Sequence, residues 1–136
     1  MKNQPNLFRI VVLFAALFFF RCTPEDMDYA STTKEIISRG EWTVDYYFAG
    51  QDKTAQYNTY HFGFLGNGTL EGTNGLTPFT GTWSSVHDVN RNEILSINIT
   101  TPHMLDLNEQ WNVSEISATS ISLRNAVNDH LRLRKL

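Results

Sequence analysis

Two hydrophobic patterns divide the chain. From Ile10 to Phe20 the apolar residues are contiguous, whereas from Trp42 onward they alternate with polar ones at the period of two that marks a half-buried strand. Trp42, Val44, Tyr46 and Phe48 share the apolar face of the first such strand, opposite Thr43, Asp45 and Tyr47. Tyr60, Phe62 and Phe64 repeat the pattern. Gly66-Asn67-Gly68 then supplies residues that tolerate positive φ in a tight hairpin turn, and Thr69-Leu70-Glu71 begins the return strand. Further strands are expected around Phe79, Gly81 and Trp83, around Leu95, Ile97 and Ile99, and around Trp111 with Val113. Met104 to Leu107 reads as one more short strand, and Ile121 with Leu123, then Leu131 with Leu133, close the series. Ahead of the strands, Thr32-Thr33-Lys34-Glu35 fits a capping box followed by Ile36 and Ile37, which predicts one or two helical turns ending at Gly40.

Eight or nine short strands joined mostly by brief turns define an all-β chain, and an antiparallel meander removes its exposed edges most simply by closing on itself. The expected fold is therefore an up-and-down, eight-stranded antiparallel barrel behind a short N-terminal helical turn. A sandwich would need long crossovers, and Gly72 to Pro78 is the one loose stretch between strands. Eight strands enclose an interior that is either packed by side chains or holds one small ligand. About twenty large side chains are candidates to point inward, in keeping with a full interior at close-packed density.

The contiguous run at the start belongs to a different kind of segment. Lys2 and Arg9 precede it, and its eleven residues have the length of a signal-peptide core. As helix it would cover roughly 16 Å, about half of the hydrocarbon thickness of a bilayer. It ends at Cys22, the single cysteine of the chain. The arrangement resembles a bacterial lipoprotein signal, in which that cysteine is acylated and becomes the new N-terminus. Arg21 departs from the small residue that such signals place before the cysteine. The alternative for Cys22 is a free thiol at the end of an uncleaved signal anchor. On this division residues 1–21 are a signal peptide, 22–31 an acidic tether through Glu25, Asp26 and Asp28, and 32–136 the barrel domain. The resemblance implies attachment to a membrane through the N-terminal lipid, in the cell envelope and at the outer membrane, since Thr23 is not the aspartate that retains such proteins at the inner membrane.

Removing the first 21 residues changes the charge balance. The whole chain has 11 basic and 14 acidic residues, and without Lys2, Arg9 and Arg21 the balance is 8 against 14. A net negative body argues against nucleic acid as partner, because phosphate binding needs clustered lysine and arginine. Arg132, Arg134 and Lys135 form the one basic cluster, which on a final strand reads as a solvated edge. No disulfide is available within the chain, so its stability rests on the core.

Gly40-Glu41-Trp42, behind a helical turn and at the start of the first strand, resembles the G-x-W signature of the lipocalins. The late Leu107-Asn108-Glu109-Gln110-Trp111 is similar to a Leu-Asn-x-x-Trp of small lipocalin-like domains on bacterial lipoproteins. The resemblance implies that Trp42 plugs the closed end of the barrel and that an arginine from near the last strand packs across its indole. Arg132 is the candidate, with Arg134 second. Gly81-Thr82-Trp83 repeats the triplet in mid-chain.

Catalysis has little to work with. The sequence lacks a G-x-S-x-G elbow and a second cysteine, and His61, His87, His103 and His130 fall on different predicted elements without paired metal-ligand spacing. The expectation is a non-enzymatic protein without cofactor or metal. Two function classes follow. In the first, an open cup binds a small hydrophobic or amphipathic molecule lined by Tyr46, Phe48, Tyr60, Phe62, Phe64, Phe79 and Trp83. In the second, those aromatics fill the barrel, and the domain is a tethered interaction or assembly module.

Overall fold

The computed structural model describes residues 29–136, with side chains from residue 33 onward. Cys22, the apolar run and residues 22–28 of the expected tether, with its acidic residues, lie outside the described residues, while residues 29–31 belong to the first helix. Helix α1 (Tyr29–Ile37) leads into eight strands: β1 (Trp42–Phe48), β2 (His61–Phe64), β3 (Thr69–Thr73), β4 (Pro78–His87), β5 (Glu93–Ile99), β6 (Gln110–Ile116), β7 (Ser120–Arg124) and β8 (His130–Lys135). A one-turn helix, α2 (Thr54–Tyr57), follows β1, and a 3-10 helix spans Pro102–Leu107. Each strand pairs antiparallel with its neighbours in sequence, and β8 returns to β1, closing an up-and-down barrel. The fold class is the expected one.

Local chemistry sets the turns. After β2, Gly68 takes φ +88° and the Asn67 side chain accepts from the Thr69 amide at 2.9 Å, so the hairpin tightens without a strained side-chain-bearing residue. After β4, the Asp88 carboxylate accepts from the amides of Asn90 and Asn92, both at 2.8 Å.

Three expectations need correction. Helix α1 is nine residues long and begins at Tyr29, so Thr32 lies within it rather than at its cap. The buried Ile37 and the half-buried Ile36 hold α1 to the barrel, and packing rather than capping decides where a short helix forms. Met104 to Leu107 is helical, not extended. Pro102 begins the turn with its fixed φ, and the Asn108 side chain bonds both the amide and the carbonyl of Ile99, taking the place of a strand partner at the end of β5.

The third correction concerns β1. Its register with β8 shifts between Val44 and Tyr46, a bulge that adds one residue to the outer row. Trp42, Val44 and Tyr47 are the buried apolar side chains, at 0, 1 and 2 % exposure, while Tyr46 lies half-buried on the outside and Phe48 is 40 % exposed. The bulge has a structural reason. Beyond the single pair Trp42↔Phe62, β1 has no β2 partner, and the segment after it folds back instead. The Lys53 amide donates to the Tyr47 carbonyl at 2.8 Å, the Tyr47 amide to Thr54 Oγ1 at 2.9 Å, and Thr43 Oγ1 to the Asn58 carbonyl at 3.0 Å.

Candidate functional site

The end of the barrel at which α2 and the 3-10 helix sit is where an open lipocalin-like cup would have its mouth. Both helices reach across it. Met104 and Leu107 of the 3-10 helix are 0 and 1 % exposed, and Tyr57 of α2 is 2 % exposed. Beneath them Tyr47 meets Tyr57 and Trp111 edge to face, with centroids 5.5 and 6.2 Å apart. Tyr60 and Phe62 both contact Phe79, at 5.9 and 5.1 Å. Gly72 makes room for that ring, because a Cβ there would lie 2.6 Å from Phe79 Cζ.

Polar bonds tie the two covers together. The Tyr47 hydroxyl donates to the Asp106 carbonyl at 2.8 Å, Lys53 Nζ pairs with Asp106 Oδ2 at 2.7 Å, and the Tyr60 hydroxyl shares a 3.1 Å hydrogen bond with His103 Nε2. Burial, reinforced by the Asp106 carboxylate, raises the Tyr57 hydroxyl to about 12 and pushes Tyr47 higher still. Both therefore stay neutral donors at physiological pH, and among the described residues no buried side-chain polar atom lacks a partner.

The expected lining thus splits three ways. Tyr60, Phe62 and Phe79 gather beneath the two covers. Phe64 and Trp83 meet at 5.7 Å near the other end, where the Trp83 indole donates to the Leu65 carbonyl at 2.9 Å. Tyr46 and Phe48 face outward. Tyr47, Tyr57, Met104 and Leu107 were missing from that list. Tyr57 had a weak signal, since Asp52 accepts from the Thr54 amide at 2.9 Å in an Asx turn that leads into α2; Tyr47 had none, because its inward turn depends on the bulge.

At the opposite end α1 covers the barrel. The Trp42 indole, fully buried, donates to the Ile37 carbonyl at 2.8 Å, and the buried Thr33 hydroxyl bonds the Glu93 carboxylate, which also accepts from Ser85 at 2.8 Å. The cation over the Trp42 ring is Lys135, with Nζ 5.8 Å from the centroid. Arg132 is elsewhere. It points outward, pairs with Asp45 at 2.7 Å and lies 5.9 Å over Tyr46. Strand parity explains the exchange, since outward Arg132 and Arg134 alternate with buried Leu131 and Leu133. Gly40, at φ +85°, lets Lys135 lie close, because an added Cβ would stand 3.0 Å from Lys135 Cε. The second triplet serves another purpose: a Cβ at Gly81 would lie 2.3 Å from the Asn98 carbonyl oxygen. In the late motif the Trp111 indole donates to the Leu107 carbonyl at 3.2 Å, and Asn108 makes the clamp on Ile99.

The described residues also form open depressions on the outer wall and rims. One of them, about 320 Å³, lies between Glu41, His61, Glu71 and Thr80 over the bare backbone of Gly63. It is an open depression on the outer wall and does not enter the barrel interior, unlike the enclosed cup that ligand pockets usually form. No group of three or more His, Cys, Asp or Glu side chains among the described residues is placed to hold a metal ion, and none of the described helices is long and apolar enough to cross a membrane.

No protein-family model and none of the curated proteins matches the chain. Among solved structures it is similar to a DUF4847 family protein from Bacteroides vulgatus ATCC 8482, at a TM-score of 0.56 and 17 % identity, over 76 % of this chain and 97 % of that one. The likeness is one of fold.

Proposed function

We propose that this protein is a lipid-anchored barrel of the bacterial envelope, at the outer membrane, whose interior is structural and whose outer surface does the work, as a non-catalytic interaction or assembly module. The anchor part of the proposal rests on the sequence around Cys22. It predicts that radiolabelled palmitate enters the wild type and not Cys22→Ala; a labelled variant, or an unlabelled wild type retaining residues 1–21, would refute it.

What supports the outer-surface part is the way the inner space is used. Trp42, Trp111, Tyr47, Tyr57, Phe64 and Met104 are each buried to within about two per cent, and covers lie over both ends. Neighbouring rings meet at contact distances, as expected of a close-packed core. The test is a panel of fatty acids, sterols and aromatic probes against Phe62→Trp, followed by fluorescence. No quenching or spectral shift is expected. A saturable, one-to-one response would move the function inside the barrel.

One observation favours that second reading, in which a small amphipathic molecule is the ligand. Three tyrosine hydroxyls, from Tyr47, Tyr57 and Tyr60, collect beneath two short helices, and donors beside aromatic faces are the usual lining of such sites. A guest would then need α2 and the 3-10 helix to part.

A further inference from the structure

We propose that the outer face of β7, β8 and β1, centred on Arg132 and Arg134, docks an extended acidic segment of a partner protein whose alternate carboxylates pair with the two guanidinium groups. The proposal rests on the interaction-module reading and gives it a surface and a partner chemistry.

The bulge in β1 builds this face. It places Asp45 and Tyr46 consecutively on the outside, and Asp45 then receives Arg132 Nε on Oδ2 at 2.7 Å and stands 3.6 Å from Arg134 Nε through Oδ1. One carboxylate thus holds two guanidinium groups side by side by their inner nitrogens. Their terminal nitrogens have no hydrogen-bond partner among the described residues, and the side chains are 43 and 55 % exposed. An arginine held in this way presents its remaining donors in the planar fork that matches a carboxylate.

The register extends the stripe. Arg132 lies between Ser122 of β7 and Tyr46 of β1, and the next row places Arg124, His130 and Phe48 side by side. Tyr46 forms a floor, with His130 edge-on at 5.3 Å and Arg132 above it at 5.9 Å. Phe48, 40 % exposed, offers an apolar contact at the end of the stripe. The imidazole reports the local field: burial, then Arg124 and Arg132, lower the His130 proton affinity against the opposing pull of Glu115.

Spacing and charge choose the partner. Arg132 and Arg134 are two residues apart on one strand, about 6.8 Å, and that is the repeat of every second side chain in an extended peptide. Arg124, Arg132 and Arg134 share this face with two carboxylates, Asp45 and, across Ser122 on β6, Glu115, a local excess of positive charge on a body with 8 basic and 14 acidic residues beyond residue 21. A broad polyanion, such as a nucleic acid or an anionic bilayer, would bring its charge within a Debye length, about 8 Å, of the acidic remainder. A narrow acidic segment meets the stripe alone.

The test uses the full chain in neutral detergent and a labelled peptide alternating glutamate with threonine, read by fluorescence anisotropy. The expected result is saturable binding that weakens with salt, with Arg132→Gln/Arg134→Gln about tenfold weaker and a peptide of the same composition with its glutamates in one block also weaker. Arg134→Gln alone, at the more exposed position, should lose affinity severalfold and keeps the test decisive if the double variant fails to fold. Docking of carboxylates beside the stripe should also raise the midpoint of the His130 imidazole resonance in NMR titration. Equal binding by the variants, equal binding of the block peptide, or no saturable binding would overturn the proposal. So would capture by phosphatidylglycerol vesicles that the alternating peptide does not displace, or inorganic phosphate competing as well as the peptide. A hydrophobic probe that enters the barrel would sink the structural-interior reading and leave the peptide result standing, so the two failures are distinguishable.

Discussion

The two ends of the barrel are closed by different chemistry. At the α1 end the closure is an indole: Trp42, fully buried, bonds the Ile37 carbonyl, and Lys135 lies across the ring. At the other end the closure is made of tyrosines and one ion pair, Tyr47 to the Asp106 carbonyl and Lys53 to the Asp106 carboxylate. The first closure is apolar area around the indole hydrogen bond, with Thr33 and Ser85 bonding the Glu93 carboxylate beside it. The second is a set of polar bonds over aromatic rings, some of which titrate. The α1 end is thus a floor resting mainly on a buried indole, whereas the other end depends on buried tyrosines that alkaline pH can ionise.

The largest effect expected follows from the floor. Trp42→Ala should cost about 3–5 kcal/mol in denaturant unfolding, the range for deleting a large buried aromatic. Trp42→Phe should cost visibly less. A double-mutant cycle between Trp42 and Lys135 should show coupling of about 0.5–1 kcal/mol, since the half-buried Lys135 lies over the Trp42 ring. The corresponding cycle with Arg132 should be additive to within about 0.5 kcal/mol. Coupling to Arg132 in place of Lys135 would mean that the floor is built as the lipocalin resemblance implied.

That exchange shows what the sequence carries and what it does not. Strand positions were legible because alternation is local: Phe62 and Phe64, Ile97 and Ile99, and Leu131 and Leu133 are buried as their spacing requires. Gly40-x-Trp42 and Leu107-Asn108-x-x-Trp111 were legible as motifs, and each proves to be an indole bonded to a nearby carbonyl. The β1 bulge was not legible. It arises because β1 pairs with β2 at one position and then exchanges its partner for residues 53–58, a tertiary event without a local signature. Its cost to the reading was large, since one inserted residue moved Tyr46 and Phe48 outside and brought Tyr47 in. The helical state of residues 102–107 had a signal that the strand reading missed, because Met104 and Leu107 stand three apart, the spacing of one face of a helical turn and not of a strand.

The second prediction breaks the comparison by pH. Tyr57 holds its proton to about 12 in the folded protein, against an ordinary value of 10.0 in the unfolded chain, and burial is the main cause. Because the folded value is the higher one, the contribution is fully present below about pH 10. It is lost as pH rises through that window, where the unfolded chain releases a proton that the folded one keeps. Tyr47 acts in the same direction. Unfolding midpoints should accordingly fall steeply above about pH 10, and Tyr57→Phe should flatten the fall. An unchanged slope in Tyr57→Phe and Tyr47→Phe together would mean that alkaline lability originates away from the tyrosine end.

The smallest effect concerns the latch. Lys53 and Asp106 pair at 2.7 Å, but the lysine side chain is 20 % exposed and the aspartate 50 %, so water and salt screen the attraction. Such pairs contribute about 0.2–1 kcal/mol, and Lys53→Met should cost no more than that in global stability. Its local consequence is the informative one. Lys53 lies on the segment that replaces β2 along β1, and Asp106 on the helix that covers Tyr47, so the pair joins two covers that are otherwise held from below. If the tyrosine end is the looser closure, Lys53→Met should speed hydrogen exchange at the amides of Asn58 and Asn108 while leaving that of Ser38, at the C-terminal end of α1, unchanged. Equal acceleration at both ends would show that the barrel opens as one unit. Acceleration confined to the tyrosine end, accompanied by new binding of a hydrophobic dye, would show that the filled interior becomes a ligand site once its covers are released.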